Sequence, residues 1–170
     1  MKEEITRNYL EITSIELLKE VKKPYDNLYL NKVSKNDFQL NKFLYKQVGK
    51  NYNWTDRLVW KDKNWIEYVS NKNLFTFVLK QDLDIVGFFE LIYHKDKFEV
   101  EIVYFGLLEE YFEKKLGGYM LSEAIKKSFR FNVNKVWVHT CSLDHKNALK
   151  NYLSRGMKIY NTEKINITLS

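Results

Sequence analysis

One cysteine, one proline and six glycines in 170 residues set the first limits on this chain. Cys141 alone cannot close an internal disulfide and leaves too few thiols for a zinc cluster, so disulfide-scaffold and zinc-finger classes drop out and no metal site is expected. With so little proline and glycine there is no linker-like stretch. No segment repeats at a fixed period either, and residues 1–170 read as a single domain. Nowhere do about 20 apolar residues run without interruption, the length that crossing a bilayer requires. The first residues, MKEEITRNYLEI, carry acids where a secretory leader would be basic and then apolar. These absences predict a cytoplasmic protein with no membrane partner.

What is present is a globular composition. Hydrophobic residues make up 45% and aromatics 16%, with 12 Tyr and 11 Phe, which predicts short loops and a core rich in rings. The formal charge of +6 is unevenly placed: residues 109–164 hold 11 Lys/Arg against 6 Asp/Glu, leaving 17 against 16 elsewhere. A local basic field suits a polyphosphate ligand, a nucleic acid or mere solubility, and position has to decide. The lysines scatter around helices and do not interleave with aromatics along a groove, so no nucleic-acid partner is expected.

Periodicity supplies the order of elements. ITRNYLEI reads as a strand, SIELLKEV as a short helix from Ser14, and DNLYLNKVS, behind Pro24, as a second strand. From Asn36 or Asp37 as cap, Phe38, Phe43, Leu44 and Val48 recur at helical spacing up to Gly49, and another helix is expected from Asp62 to Val69. Trp54, Trp60 and Trp65 crowd the stretch between and into it, serving the core or lining a cleft. LFTFVLK, DIVGFFELIYH and KFEVEIVYFGL, separated by QDLD and KDK, form an antiparallel meander. Leu116, Met120, Leu121, Ala124, Ile125 and Phe129 then share a helical face. NKVWVHTCS reads as a buried strand by Val136, Trp137 and Val138, followed by a helix from Asp144 to Gly156 and a strand pair, MKIYN and EKINITLS.

A right-handed crossover puts the N-terminus of the helix near Gly117 at the carboxyl end of KFEVEIVYFGL. Uncapped amides and the helix dipole make that end an anion site, Gly117 and Gly118 allow close approach, and Lys114 and Lys115 add charge suited to a pyrophosphate.

In this order and in these residues the chain resembles the GNAT superfamily of N-acyltransferases. The family's turn, Gln/Arg-x-x-Gly-x-Gly/Ala, falls on Phe112, Glu113, Lys114, Lys115, Leu116 and Gly117, with the last glycine kept and the first basic residue and first glycine replaced. Ala148, Tyr152, Gly156 and Met157 match the spacing of the family's last helix, and His145 stands where many members have Asn. VWVHTC-x-LDH and the phrase built from Phe43, Leu44, Tyr45, Val48, Gly49, Trp54, Asp56, Arg57 and Leu58 are similar to one bacterial subgroup, so the resemblance spans about residues 38–160.

The resemblance implies an α/β fold: a mixed, mostly antiparallel central sheet flanked by helices and splayed at its two central parallel strands. It implies an N-acetyltransferase in which a primary amine attacks acetyl-CoA directly. The pantetheine arm would lie along Phe105, Gly106 and Leu107, and the phosphates against Phe112, Lys114, Lys115, Gly117, Gly118 and His145. Tyr152 matches the family's frequent general acid. For the base, Glu101, Glu90 and His139 are candidates, with Glu101 expected beside Tyr152 as catalytic. Trp54, Arg57 and Glu90 are expected around the acceptor, where Arg57 could hold a carboxylate. The resemblance also implies a small-molecule or peptide amine as acceptor, and a monomer or homodimer is expected. The alternative is a catalytically silent GNAT-like domain that binds CoA or a protein partner, because Lys115 and Phe112 replace family residues.

Overall fold

The computed structural model describes residues 1–35 and 37–168. Asn36, one of two expected caps, and the last residues of the expected strand EKINITLS lie outside the described residues.

One seven-stranded sheet organises the chain, in the order β2-β3-β4-β5-β6-β1-β7. Its strands are β1 (Lys2–Ile12), β2 (Leu28–Lys32), β3 (Leu74–Gln81), β4 (Asp84–His94), β5 (Glu99–Leu107), β6 (Lys135–Cys141) and β7 (Lys158–Thr168). Every neighbouring pair is antiparallel except β5 with β6. This is the mixed, mostly antiparallel sheet that the resemblance implies. The helices are α1 (Phe38–Gly49), α2 (Asp62–Val69), α3 (Leu116–Phe129) and α4 (Ala148–Ser154).

The alternation of strand side chains divides the core in two. Val78 and Phe88 turn to one face, where Leu44 and Val48 of α1 cover them. Their neighbours Leu79 and Phe89 turn to the other, into the larger cluster built by Leu116, Met120, Leu121, Ala124 and Ile125 of α3 and Tyr152 of α4. The stripe that predicts α3 is thus the stripe that packs. Asp37 caps α1 by accepting from the Leu40 amide at 3.1 Å. Phe43, counted in the expected apolar stripe, instead faces solvent with 47% of its surface exposed.

Four expectations are corrected. SIELLKEV forms only a 3₁₀ turn, Ile15–Leu17: Ser14 caps it, and the chain then extends because Lys19 N–H bonds the Arg155 carbonyl and Val21 N–H bonds Ser122 Oγ. The last helix starts at Ala148, not Asp144, because the Asp144 carboxylate is used to close the turn after β6, accepting from Thr140 Oγ1 and from the Cys141 amide. The C-terminal strand pair is one continuous strand of 11 residues, β7, whose partner is the N-terminal β1. Trp137 is only partly buried and points away from the α3 face that takes Val136 and Val138.

Candidate active site

The site begins as a defect in the sheet. In β4 and β5, Glu90 faces Tyr104 while Leu91 faces Ile102, so Val103 has no partner and forms a bulge. The bulge turns β5 away from β6, and their parallel pairing covers only Glu99–Glu101 against Lys135–Trp137. Beyond those residues the two central strands splay, as predicted.

Leu108 N–H bonds the Val86 carbonyl at 2.8 Å, so alternate residues Gly106 and Tyr104 direct their backbone polar groups to β4. Phe105 and Leu107 therefore turn theirs into the gap. The Leu107 amide already has a partner there, Tyr52 Oη at 3.3 Å.

A cleft of about 1080 Å³ runs through the gap. At one end lies the turn into α3. Glu113 and Lys115 both hold left-handed backbone, with φ of 63° and 64°, and Lys115 provides no side-chain cap to the helix. The first amides of α3 consequently remain open, as a pyrophosphate-bearing ligand requires. Asn151 Nδ2 donates to the Gly117 carbonyl at 3.1 Å and fixes the turn.

The two glycines do different work. A Cβ on Gly117 would meet nothing closer than Asn151 Nδ2 at 3.5 Å, whereas one on Gly118 would collide with the Arg155 guanidinium and Val21. Lys115, Gly117, Gly118, Phe112 and His145 line the cleft; Lys114 does not, its ammonium lying 5.6 Å from the Tyr111 ring centre. Phe112 and His145 stack edge-on at 4.6 Å, with Tyr52 6.2 Å from Phe112. Phe105 and Leu107 also line the cleft; Gly106 is turned toward Val48 and Tyr52.

In the middle stands Tyr152, almost wholly buried, its ring 6.2 Å from Phe105. Its hydroxyl has no hydrogen-bond partner among the described residues. Burial, reinforced by the Asp144 carboxylate and by Tyr52, pushes its ionisation far above the usual tyrosine range, so it holds its proton at neutral pH.

Of the three candidate bases only His139 lines the cleft. Burial and the nearby Arg7 charge lower its pKa below the ordinary value, leaving a neutral imidazole at pH 7. Glu101 points elsewhere, with Oε1 2.9 Å from His94 Nε2. Cys141 is held as a thiol, its pKa raised by burial and by Asp144.

The far end is aromatic. Trp54 packs against Tyr104 at 4.5 Å and Tyr52 at 5.3 Å, and with Trp60 it walls the cleft. Arg57 reaches this wall, but its guanidinium is used internally. Nη1 and Nη2 each bond a Glu90 carboxylate oxygen at 3.2 Å, and Tyr68 Oη bonds the same carboxylate at 2.6 Å. The rings of Tyr68 and Tyr104 lie 4.1 and 4.5 Å from the guanidinium carbon. The expectation that Arg57 is free to hold an acceptor carboxylate is corrected accordingly, and Glu90 is fully buried outside the cleft.

Several lining residues carry no signal in the sequence. Arg7 arrives from β1, which gains an inner place in the sheet only through long-range pairing. Tyr52 and Asn53 belong to the loop after α1, and Asn53 Nδ2 spans the cleft to the Leu143 carbonyl at 2.6 Å.

Among curated proteins no sequence matches this chain. Solved structures share its fold at low identity. A functionally unknown conserved protein from Staphylococcus epidermidis is 18% identical with a TM-score of 0.65, over 97% of this chain and 61% of its own. An aminoglycoside acetyltransferase from an uncultured soil metagenomic sample is 15% identical with a TM-score of 0.65, over 78% and 90%. A GCN5-related N-acetyltransferase from Sphaerobacter thermophilus is 13% identical with a TM-score of 0.72, over 95% and 50%. The chain thus spans about three fifths of the first and half of the last. The model of the acetyltransferase (GNAT) family matches residues 37–157, and the chain belongs to that family.

Proposed function

We propose that this protein transfers an acetyl group from acetyl-CoA to a primary amine by direct attack. The observation that carries the proposal is the splay itself: a bulge at Val103 opens the sheet where an uncapped helix N-terminus and a protonated, buried tyrosine meet in one cleft. Acetyl-CoA supplies the activated acyl group. The open amides of α3 with the backbone of Lys115 and Gly117 would hold its phosphates, and the Phe105 backbone facing the gap would hold its arm.

The roles of the side chains follow from the face each occupies. Tyr152 stands on the α3 side as the proton donor to the departing thiolate. His139 sits at a strand position of opposite parity to the buried Val136 and Val138, on the other side of the sheet, as the acceptor of the amine's proton. Donor and acceptor on opposite faces match a reaction in which the amine and the thiol approach and leave from opposite sides. The aromatic wall of Trp54, Trp60 and Tyr104 with the Asp56 carboxylate supports an amine acceptor with an apolar or cationic body.

A second reading has its own support. Tyr52 on the Leu107 amide and the Asn53 bridge to Leu143 both cross the slot, consistent with a domain that binds CoA or a protein without turnover.

Calorimetric titration with acetyl-CoA, followed by release of free thiol in the presence of mixed primary amines, separates the two. Binding lost in Gly117→Glu, a change whose Cβ makes only ordinary van der Waals contacts with Asn151 and Leu107, together with amine-dependent thiol release supports acetyl transfer. Binding without release from any amine supports a silent domain that binds CoA, and no binding rejects acetyl transfer and leaves a silent domain that binds a protein.

A further inference from the structure

We propose that the hydroxyl of Tyr52 is the hydrogen-bond donor to the acyl carbonyl, a catalytic role that rests on the acetyl-transfer reading above. Where the strands part, the Leu107 amide is the group the backbone turns into the gap at the end of β5, and it is already committed, donating to Tyr52 Oη at 3.3 Å. An amide with its one proton so engaged has none left for a ligand. The hydroxyl that receives it still has its own proton, with no acceptor among the described residues, and Tyr52 lines the cleft. A hydroxyl whose oxygen accepts a hydrogen bond is polarised and becomes a stronger donor in turn. The amide thus acts through the phenol.

The ring is placed firmly enough for this task. Trp54 at 5.3 Å, His145 at 5.6 Å and Phe112 at 6.2 Å surround it. On the strand side the fit favours a glycine: a Cβ at Gly106 would lie 2.5 Å from Val48 Cγ1 and 3.0 Å from the Tyr52 ring. Burial, with the Asp144 carboxylate nearby, raises the pKa of Tyr52, so the donor proton is present across the working range. Tyr52 and Tyr152 both line this cleft, with separate duties.

In the transfer, the amine's lone pair forms the C–N bond as the C–S bond breaks. The C–S pair leaves on sulfur and takes the Tyr152 proton, and the surplus proton on nitrogen goes to His139. Tyr52 gains and loses no atom. It bonds the carbonyl oxygen while negative charge builds there, a task for which one preorganised donor commonly contributes about 100-fold or more in rate.

The test uses acetyl-CoA labelled with ¹³C at the carbonyl, bound to wild type and to Tyr52→Phe, which retains the ring. The expected result is a carbonyl stretch at lower frequency in the wild type than in the variant, with a fall in kcat of about 100-fold and a dissociation constant for acetyl-CoA changed by less than about threefold. As a second variant, 3-fluorotyrosine at position 52, a stronger acid of nearly the same shape, lowers the stretch further. Equal stretches in wild type and variants overturn the inference. So does a Tyr52→Phe enzyme that binds more tightly and turns over faster, since the hydroxyl would then merely plug the Leu107 amide. Labelled acetyl-CoA that binds with an unshifted carbonyl defeats this inference alone; failure to bind defeats the acetyl-transfer reading with it.

Discussion

Arg57 and Glu90, 33 residues apart in sequence, meet through two 3.2 Å hydrogen bonds in a pocket that leaves Glu90 with no exposed surface. Four further aromatic groups complete the setting: Tyr68 bonds the carboxylate, the Tyr45 hydroxyl takes the Arg57 backbone amide, and the Tyr104 and Trp60 rings flank the guanidinium. Burial works against the Arg57 charge, but the Glu90 carboxylate with the Tyr68 and Tyr104 hydroxyls together outweigh it and raise the Arg57 pKa, so the guanidinium stays charged. Removing one partner leaves the other charged and desolvated. Glu90→Gln should therefore cost about 3–5 kcal/mol in urea unfolding, whereas Arg57→Met with Glu90→Leu together should recover most of that loss. A single-variant cost below about 1 kcal/mol would mean that water reaches the pair.

Lys115 invites a gain. Its left-handed φ of 64° is disfavoured by a Cβ, and it provides no cap to α3. Lys115→Gly should raise stability by about 1 kcal/mol through relief of that conformation, offset in part by the freer unfolded chain. Thermal melting measures it. Acetyl-CoA affinity should hold or improve, since the open amides belong to the helix and not to the lysine side chain; a large loss of affinity would instead show that the ammonium itself binds phosphate.

How much of this could be seen in the chain alone depends on the range of the interaction that decides it. Asp62–Val69 and Asp84–His94 have the predicted bounds because local alternation and turn residues determine them. Ser14 to Val21 fails as a helix because contacts with Arg155 and Ser122, far along the chain, pull it straight. The place of β1 between β6 and β7 has no local signature, so the local pattern predicts a strand pair where β7 pairs with the N-terminal strand. In the site, the turn before α3 and Tyr152 are legible from motif spacing. Tyr52, Arg7 and the closure of Arg57 on Glu90 are not, since each depends on which loop or strand the fold brings alongside.

Tyr152→Phe tests the proton donor. The ring remains beside Phe105, and the lost hydroxyl has no partner among the described residues, so unfolding free energy should change by less than about 1 kcal/mol. The turnover number should fall by about 100-fold or more, as for other lost general acids, with little change in KM for acetyl-CoA. A variant that turns over normally would assign Tyr152 to packing alone.

His139 predicts the acid limb of the pH profile. As a base it must be neutral, so kcat/KM is present above its pKa in the folded protein and is lost as pH falls through that value. Burial and then Arg7 lower the pKa, which puts the midpoint below the ordinary histidine value of about 6.5. Arg7→Met removes one of the two depressing influences and leaves Glu101, Asp144 and Asp56, which act in the opposite sense. The midpoint should therefore move upward in Arg7→Met, and the limb should vanish, with a much lower plateau, in His139→Gln. Titration of the imidazole by NMR gives the same shift without turnover. Should the imidazole move while the activity midpoint stays in place, His139 senses the charge of Arg7 but does not accept the amine's proton, and the base lies elsewhere in the cleft.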